Sequence, residues 1–320
     1  MNQSEWLKTV QHFFKEKNHA WLTDADDVLL AYLAGTPADC ASYQEVRSLR
    51  RALPHRQAKF CKAKTHVRIL SAEWDAVRER AVIDALETVR FYYEQGGELD
   101  HESRQTLHRL TLIPFGGKWR IVEDLVNRET AAPALQRQEE VAVPESGAEP
   151  DAREFRGRYD RVRAFKYAEL WWNGYNPQYK KMEGNDCTNY ISQVLHAGGL
   201  PMIGSQSRSS GWWYRWQGQT HNWSYSWTVA HSLALALPRD LKAVQVSDPR
   251  QLKVGDIICY DWDGDNRWQH NTVVVDFDYY GRPLVNAHTI ASHRRYWDYR
   301  DSYAFTPRTQ YLFFQLPDTF

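Results

Sequence analysis

Gly184-Asn185-Asp186-Cys187-Thr188-Asn189-Tyr190-Ile191-Ser192-Gln193-Val194-Leu195-His196-Ala197-Gly198-Gly199 is the stretch on which the reading of this chain turns. Its pattern predicts a helix that begins at Asp186 or Cys187 and stops at the Gly198-Gly199 pair, which suits a left-handed C-terminal cap. Cys187, Tyr190, Ile191, Val194 and Leu195 then share one face, so the thiol lies in the first turn and points towards the packed side. A thiol at a helix N-terminus feels the partial positive charge there, which lowers its pKa and favours thiolate. A buried structural cysteine has the same spacing. The position behind a Gly-Asn-Asp turn is what marks Cys187 as a candidate nucleophile.

Such a nucleophile needs a base to take its proton and return it to the leaving amine. Downstream, 252–260 predicts a strand opened by Gly255, 261–268 a polar loop, and 270–277 and 284–289 two further strands around the turn 278–281. In an antiparallel register centred on Tyr280, Thr272 faces His288 and Val274 faces Asn286. His288 is then a same-face diagonal neighbour of His270. A one-residue slip would turn His288 to the other face. His270 is the candidate base, and His288, with Asn286 as runner-up, the polar group that orients it.

The rest of the chain sets the limits. It has 320 residues, and 40 basic and 40 acidic side chains cancel. That balance argues against a nucleic-acid partner, which normally meets a strongly basic face. The longest apolar run, 28–35, is far short of the roughly 20 residues that span a bilayer, so no membrane span is expected. The start, Met-Asn-Gln-Ser-Glu-Trp-Leu-Lys, has no apolar core, so no signal peptide is expected, and the location is cytoplasmic or reached by an unrecognised export route. Four cysteines without a C-x-x-C pair do not form a disulfide scaffold. Residues 135–155, rich in Glu, Pro and small side chains, read as an acidic flexible linker between an N-terminal α+β domain, 1–134, and a domain at 156–320. Ten of the 14 tryptophans fall in that second half.

In the first half, 3–18 and 24–34 predict helices. Residues 59–70 alternate, with Cys61, Ala63, Thr65, Val67 and Ile69 on one side and Lys62, Lys64, His66 and Arg68 on the other. Further strands are expected at 85–93, 105–112 and 119–122, the last two joined around Phe115-Gly116-Gly117. No catalytic constellation is legible there.

Tyr159-Asp160-Arg161, Tyr167-Ala168-Glu169, Asn176-Pro177, the run 185–199, Trp223 to Trp227, Gly255-Asp256-Ile257-Ile258, His270 and Ala287-His288-Thr289 together resemble the bacterial "putative amidase" domain. That domain is a branch of the papain-like superfamily that also holds the NlpC-type peptidases and CHAP amidases. The resemblance covers about 156–320. It implies an α+β fold with the cysteine helix packed on a small antiparallel sheet, and by position a catalytic set of Cys187, His270 and His288. CHAP domains typically carry Gln before the nucleophile, where this chain has Asp186. A carboxylate does not donate to an oxyanion, so the Cys187 main-chain N–H and a second donor would serve. The implied function is cysteine-dependent hydrolysis of an amide, in peptidoglycan or a related peptide or amino-sugar substrate. A glycan-binding module on the same scaffold and an acyltransferase are the alternatives.

The tryptophan-rich stretch 212–227 offers an aromatic groove, with Trp213, Trp227 and Asp186 as candidate substrate-binding residues. A helix capped at Ser226 is expected to run to Leu237 and end before Pro238. Residues 261–266 begin like a calcium loop but lack Gly at the sixth place and Glu at the twelfth. No short ligand pair anchors zinc. No metal or cofactor is expected.

Overall fold

The computed structural model describes residues 3–23, 25–126, 157–204, 207–217 and 220–320. The chain divides into two compact units. One comprises Met1–Arg128, Phe277–Leu284 and Ile290–Thr306, the other Glu129–Asp276, Val285–Thr289 and Pro307–Phe320. The stretch read as a linker, 135–155, lies outside the described residues.

The first unit opens with α1 (Gln3–Ala20), whose stripe of Trp6, Val10, Phe13 and Phe14 is buried. A 3-10 segment, Asp26–Tyr32, follows where a short helix is predicted. The next helix, α2 (Ala41–Arg56), is not anticipated by the sequence reading. Its apolar stripe of Tyr43, Val46, Leu49 and Ala52 is narrow and lies among arginines, which mask the periodicity.

Four long antiparallel strands follow: β1 (Lys59–Asp75), β2 (Arg80–Gln95), β3 (Glu98–Phe115) and β4 (Lys118–Val126). The β3–β4 turn is Gly116-Gly117, both with positive φ (59° and 75°), the geometry of a two-residue hairpin that glycine adopts without strain. Register shifts near Cys61 and Leu70 bulge β1. Cys61 therefore lies exposed instead of on the inward side, while Ala63, Val67 and Ile69 face the helices. A segment from the far end of the chain, Ala291–Tyr296, pairs with β3, Ser292 opposite Arg104. Asp301, beyond that strand, pairs with the buried Arg104 guanidinium.

Within the apolar interior lies a polar island. Lys17 Nζ meets Glu87 at 2.6 Å and Glu45 at 3.0 Å, while His108 reaches Asp124 at 2.8 Å and Glu87 at 3.2 Å. Buried charges are tolerated only when paired in this way.

The second unit begins with α3 (Arg161–Trp171), which the Asp160 carboxylate caps by accepting from the Val162 and Arg163 N–H groups. Then come α4 (Cys187–Ala197), β5 (Tyr214–Gln217), β6 (Thr220–Trp223), α5 (Tyr225–Thr228), α6 (Ala230–Arg239) and β7 (Val244–Val246). The strands β8 (Ile257–Asp261), β9 (His270–Phe277), β10 (Pro283–Ala287), β11 (Ala291–Tyr296, which belongs to the first unit) and β12 (Gln310–Gln315) complete the chain. The sheet order in this unit is β10-β9-β8-β12-β7, with β12 antiparallel to both neighbours.

The helix expected to run unbroken from Ser226 to Leu237 is two. They are separated at Val229, and α6 continues through Pro238 to Arg239. The Asp240 N–H closes that last turn on the Ala236 carbonyl. The α+β class with a mostly antiparallel sheet agrees with the expectation. No helix among the described residues is long and apolar enough to cross a membrane.

Candidate active site

Helix α4 starts at Cys187 and is buried from there through Leu195. Its end forms a Schellman cap: the Leu200 N–H reaches the Leu195 carbonyl, the Gly199 N–H reaches that of His196, and Gly199 takes φ +99°. The neighbouring Gly198 is set by packing, since a Cβ there would lie 2.3 Å from the Tyr159 ring. Tyr159 in turn donates to the Gly255 carbonyl. Arg161 binds the Val254 and Leu316 carbonyls and the Asp256 and Asp318 carboxylates.

The polar residues of α4 are equally committed. Asn189 donates to the Lys180 carbonyl and to Asp186, and accepts from Trp227 Nε1. Ser192 accepts from Trp212 Nε1 and donates to the Trp227 carbonyl, while Gln193 accepts from the Tyr167 hydroxyl. Much of the distinctive sequence around the cysteine therefore serves to seat this helix.

Cys187 Sγ lies 3.4 Å from Asn185 Oδ1 and 3.7 Å from Thr188 Oγ1. Burial pushes the thiol above its usual range, and the Asp186 charge adds to this. The Thr188 hydroxyl, the Asn271 main-chain N–H and the Thr289 hydroxyl act in the opposite direction, since each favours the anion. Thr289 holds φ +80°, and its buried hydroxyl meets no oxygen or nitrogen partner. The net direction opposes the thiolate expected from helix position alone, because the side chain is only 1 % exposed.

Asp186 is an anchor. Its Oδ1 accepts from the Met182 N–H at 2.9 Å and from Asn189 Nδ2 at 2.9 Å, and Oδ2 lies 2.6 Å from His288 Nδ1. With 3 % exposure and all these partners, its carboxylate is not open to substrate, which corrects the reading of Asp186 as a binding residue. The other His288 nitrogen lies 2.7 Å from the Trp171 carbonyl, and the ring stacks on Tyr190 at 4.0 Å. Asn286 donates to Glu169 on α3.

His270 lies elsewhere. In the β8–β9 register, Cys259 pairs with Asn271 and Tyr260 with His270. The Asn271 side chain faces α4, where its Nδ2 donates to Thr188. Alternation then sends His270 to the opposite face, beside the Tyr260 ring at 5.5 Å and the Trp262 ring at 6.0 Å. His288 shares the α4 side with Asn271. The structure thus brings Cys187, Asp186 and His288 into one neighbourhood and does not place the two imidazoles on one face. Strand alternation decides this.

Trp213 and Trp227 are 1 % and 0 % exposed. Trp213 Nε1 donates to the Ser207 and Ser210 carbonyls, and Trp227 packs between Tyr179 and Trp212. Both are core residues rather than groove walls, since a large apolar ring gains most by leaving water altogether. Asn185, Thr289 and the Asn271 main chain were missed as neighbours of the thiol. Their signal was adjacency to residues already singled out. Among the described residues no group of His, Cys, Asp or Glu is arranged to hold a metal.

Residues 158–313 match the family described as "Putative amidase domain", which makes the C-terminal segment amidase-like. Two relatives from Bacillus subtilis (strain 168) are described as uncharacterized. YhbB is 51% identical over 164 residues, covering 50% of this chain and 51% of its own length. YjcM is 28% identical over 124 residues, covering 37% and 27%. The chain thus spans about half the length of the first and about a quarter of the second. The intermembrane space region of chloroplast protein ARC6 overlays 39% of this chain and 96% of its own at 16% identity, with a TM-score of 0.30.

Proposed function

We propose that the second unit is a cysteine-dependent amide hydrolase of papain-like type. Cys187 attacks the carbonyl carbon, the amine leaves with a proton supplied by an imidazole, and water then cleaves the thioester to release acid and thiol. The observation that supports this reading is the place of Cys187 at the first residue of α4, with Thr188 Oγ1 3.7 Å from Sγ, inside the segment that matches the amidase family.

The oxyanion is assigned to the Cys187 main-chain N–H and to Nδ2 of the Asn185 carboxamide, whose Oδ1 accepts from the thiol at 3.4 Å and so places the group beside the sulfur. His270 is the proposed proton carrier, and the His288–Asp186 pair holds the strand and helix start together. The described form is a resting one on this reading. Its thiol is covered and the His270 ring lies on the Tyr260 side of β9, so catalysis requires His270, the first residue of that strand, to swing round the strand end to the uncovered sulfur. A peptide or peptidoglycan-like chain is the proposed substrate class, following the sequence resemblance to the NlpC-type peptidases and CHAP amidases; the family match supports amide hydrolysis alone.

The test is incubation of wild type, Cys187→Ala and His270→Ala with purified wall fragments, with products read by mass spectrometry. New carboxyl and amine ends from wild type alone support the proposal. Equal products from Cys187→Ala would end it, and full activity in His270→Ala would remove the assigned base.

A further inference from the structure

On the first unit, the outer side of β1 presents Lys62, Lys64, His66 and Arg68, all exposed. Their partners on β2 are Tyr92, Arg90, Thr88 and Leu86. Residues two apart on a strand face stand about 6.6 Å from one another, so the row from Lys62 to Arg68 spans about 20 Å. Arg90, also exposed, lies directly opposite Lys64, an arrangement of like charges that destabilises a sheet.

None of Lys62, Lys64, Arg68 and Arg90 forms an ion pair among the described residues. Arg90 donates only to the Ser103 hydroxyl. Carboxylates stand at the ends of this face: Glu94 opposite Lys59, and Asp84, which Arg109 holds through two bonds. His101 on β3 reports the same field, since burial, Arg294 and Arg90 together hold its pKa below the usual value. Lysines on an edge strand guard against unwanted pairing. That accounts for β1 but not for Arg90, which is one strand in.

We propose that this face docks an extended phosphodiester chain and recognises it by charge alone. Lys and Arg are the natural partners of phosphate. The face offers no open ring for base stacking, because Tyr92 lies between the Lys64 ammonium at 5.8 Å and the His101 ring at 6.2 Å. The neutral total charge argues against a broadly basic binding face, and what is proposed is a local stripe of four cations, Lys62, Lys64, Arg68 and Arg90.

The probe is a fluorescent abasic deoxyribose-phosphate 20-mer, compared with a thymine 20-mer on the full-length chain by anisotropy. Four cations at about 0.7 each predict a log–log salt slope near −2.8, so affinity falls about 50-fold between 50 and 200 mM salt. Lys62→Gln with Lys64→Gln should halve the slope and leave about a 7-fold fall. Lys118→Gln, at the far turn, should change nothing, nor should Cys187→Ala. Near-equal affinity for the two oligomers supports recognition by charge. No binding of the abasic chain at 50 mM salt, a thymine oligomer bound over tenfold more tightly, or an unchanged slope in the double variant would each overturn it. Thermal unfolding of the double variant, which alters only exposed side chains, separates lost binding from lost fold.

Discussion

Replacing Asp186 with alanine removes one acceptor group from three buried donors at once: the Met182 N–H, Asn189 Nδ2 and His288 Nδ1, at 2.9, 2.9 and 2.6 Å. Each orphaned donor costs about 1–3 kcal/mol, and water entering the space left behind returns part of this. The expected loss is about 4 kcal/mol. At a guanidinium m-value of roughly 4 kcal/mol/M for a unit of this size, the midpoint falls by about 1 M. Asp186→Asn is the informative partner. Its oxygen still serves Met182 and Asn189, and its Nδ2 can donate to His288 if the ring keeps its proton on Nε2 for the Trp171 carbonyl. Only the charge-assisted part is lost, about 1–2 kcal/mol. Guanidinium titration followed by tryptophan emission measures both, since ten of the 14 tryptophans lie in the second half. If alanine came within 1 kcal/mol of wild type, or asparagine cost as much as alanine, Asp186 would not be the anchor described.

Other expectations follow from the same structure. Burial alone would lower the pKa of His108, but the Asp124 charge raises it to about 9, and Asp124, which burial would raise, is held at about 2 chiefly by His108. The His108 contribution is complete below about pH 6.5 and is lost as pH rises through 9, whereas that of Asp124 is complete above about 4 and lost as pH falls through 2. The first unit should therefore lose about 3 kcal/mol between pH 6.5 and 9. His108→Gln should flatten that limb in urea titrations; an unaltered slope would exclude His108 as its source. Trp227→Ala should cost about 3–5 kcal/mol of stability as a core truncation, and a variant that keeps its stability but binds substrate poorly would return Trp227 to the groove. Asn185→Ala should lower kcat about 100- to 1,000-fold with KM little changed if its carboxamide serves the oxyanion, and a change confined to KM would refute that role.

The cysteine helix was readable to within a residue at both ends because its signals are local: an apolar stripe at helical spacing and a glycine pair whose second member takes positive φ. The β3–β4 hairpin was readable for the same reason. Helix α2 was not, since its narrow stripe pays off only against a sheet contributed by residues that come later in the chain. Burial of Trp213 and Trp227 was likewise not legible. An indole suits a binding groove and a core equally, and only the closing of Tyr179, Trp212 and the serine carbonyls around the pair selects the core.

Local order thus settled where the cysteine helix and the strands β8, β9 and β10 lie and that the cysteine heads its helix, but not the break at Val229 or the strands β5, β6, β7, β11 and β12. Which face each histidine takes was decided by tertiary structure. A strand's side chains alternate with a period of two, so a register difference of one residue moves a group through the sheet at no cost visible in composition or spacing. His270 went to the Tyr260 side and His288 to Asp186 because β8, β9 and α4 pack in one particular register, a relation among residues up to about a hundred positions apart.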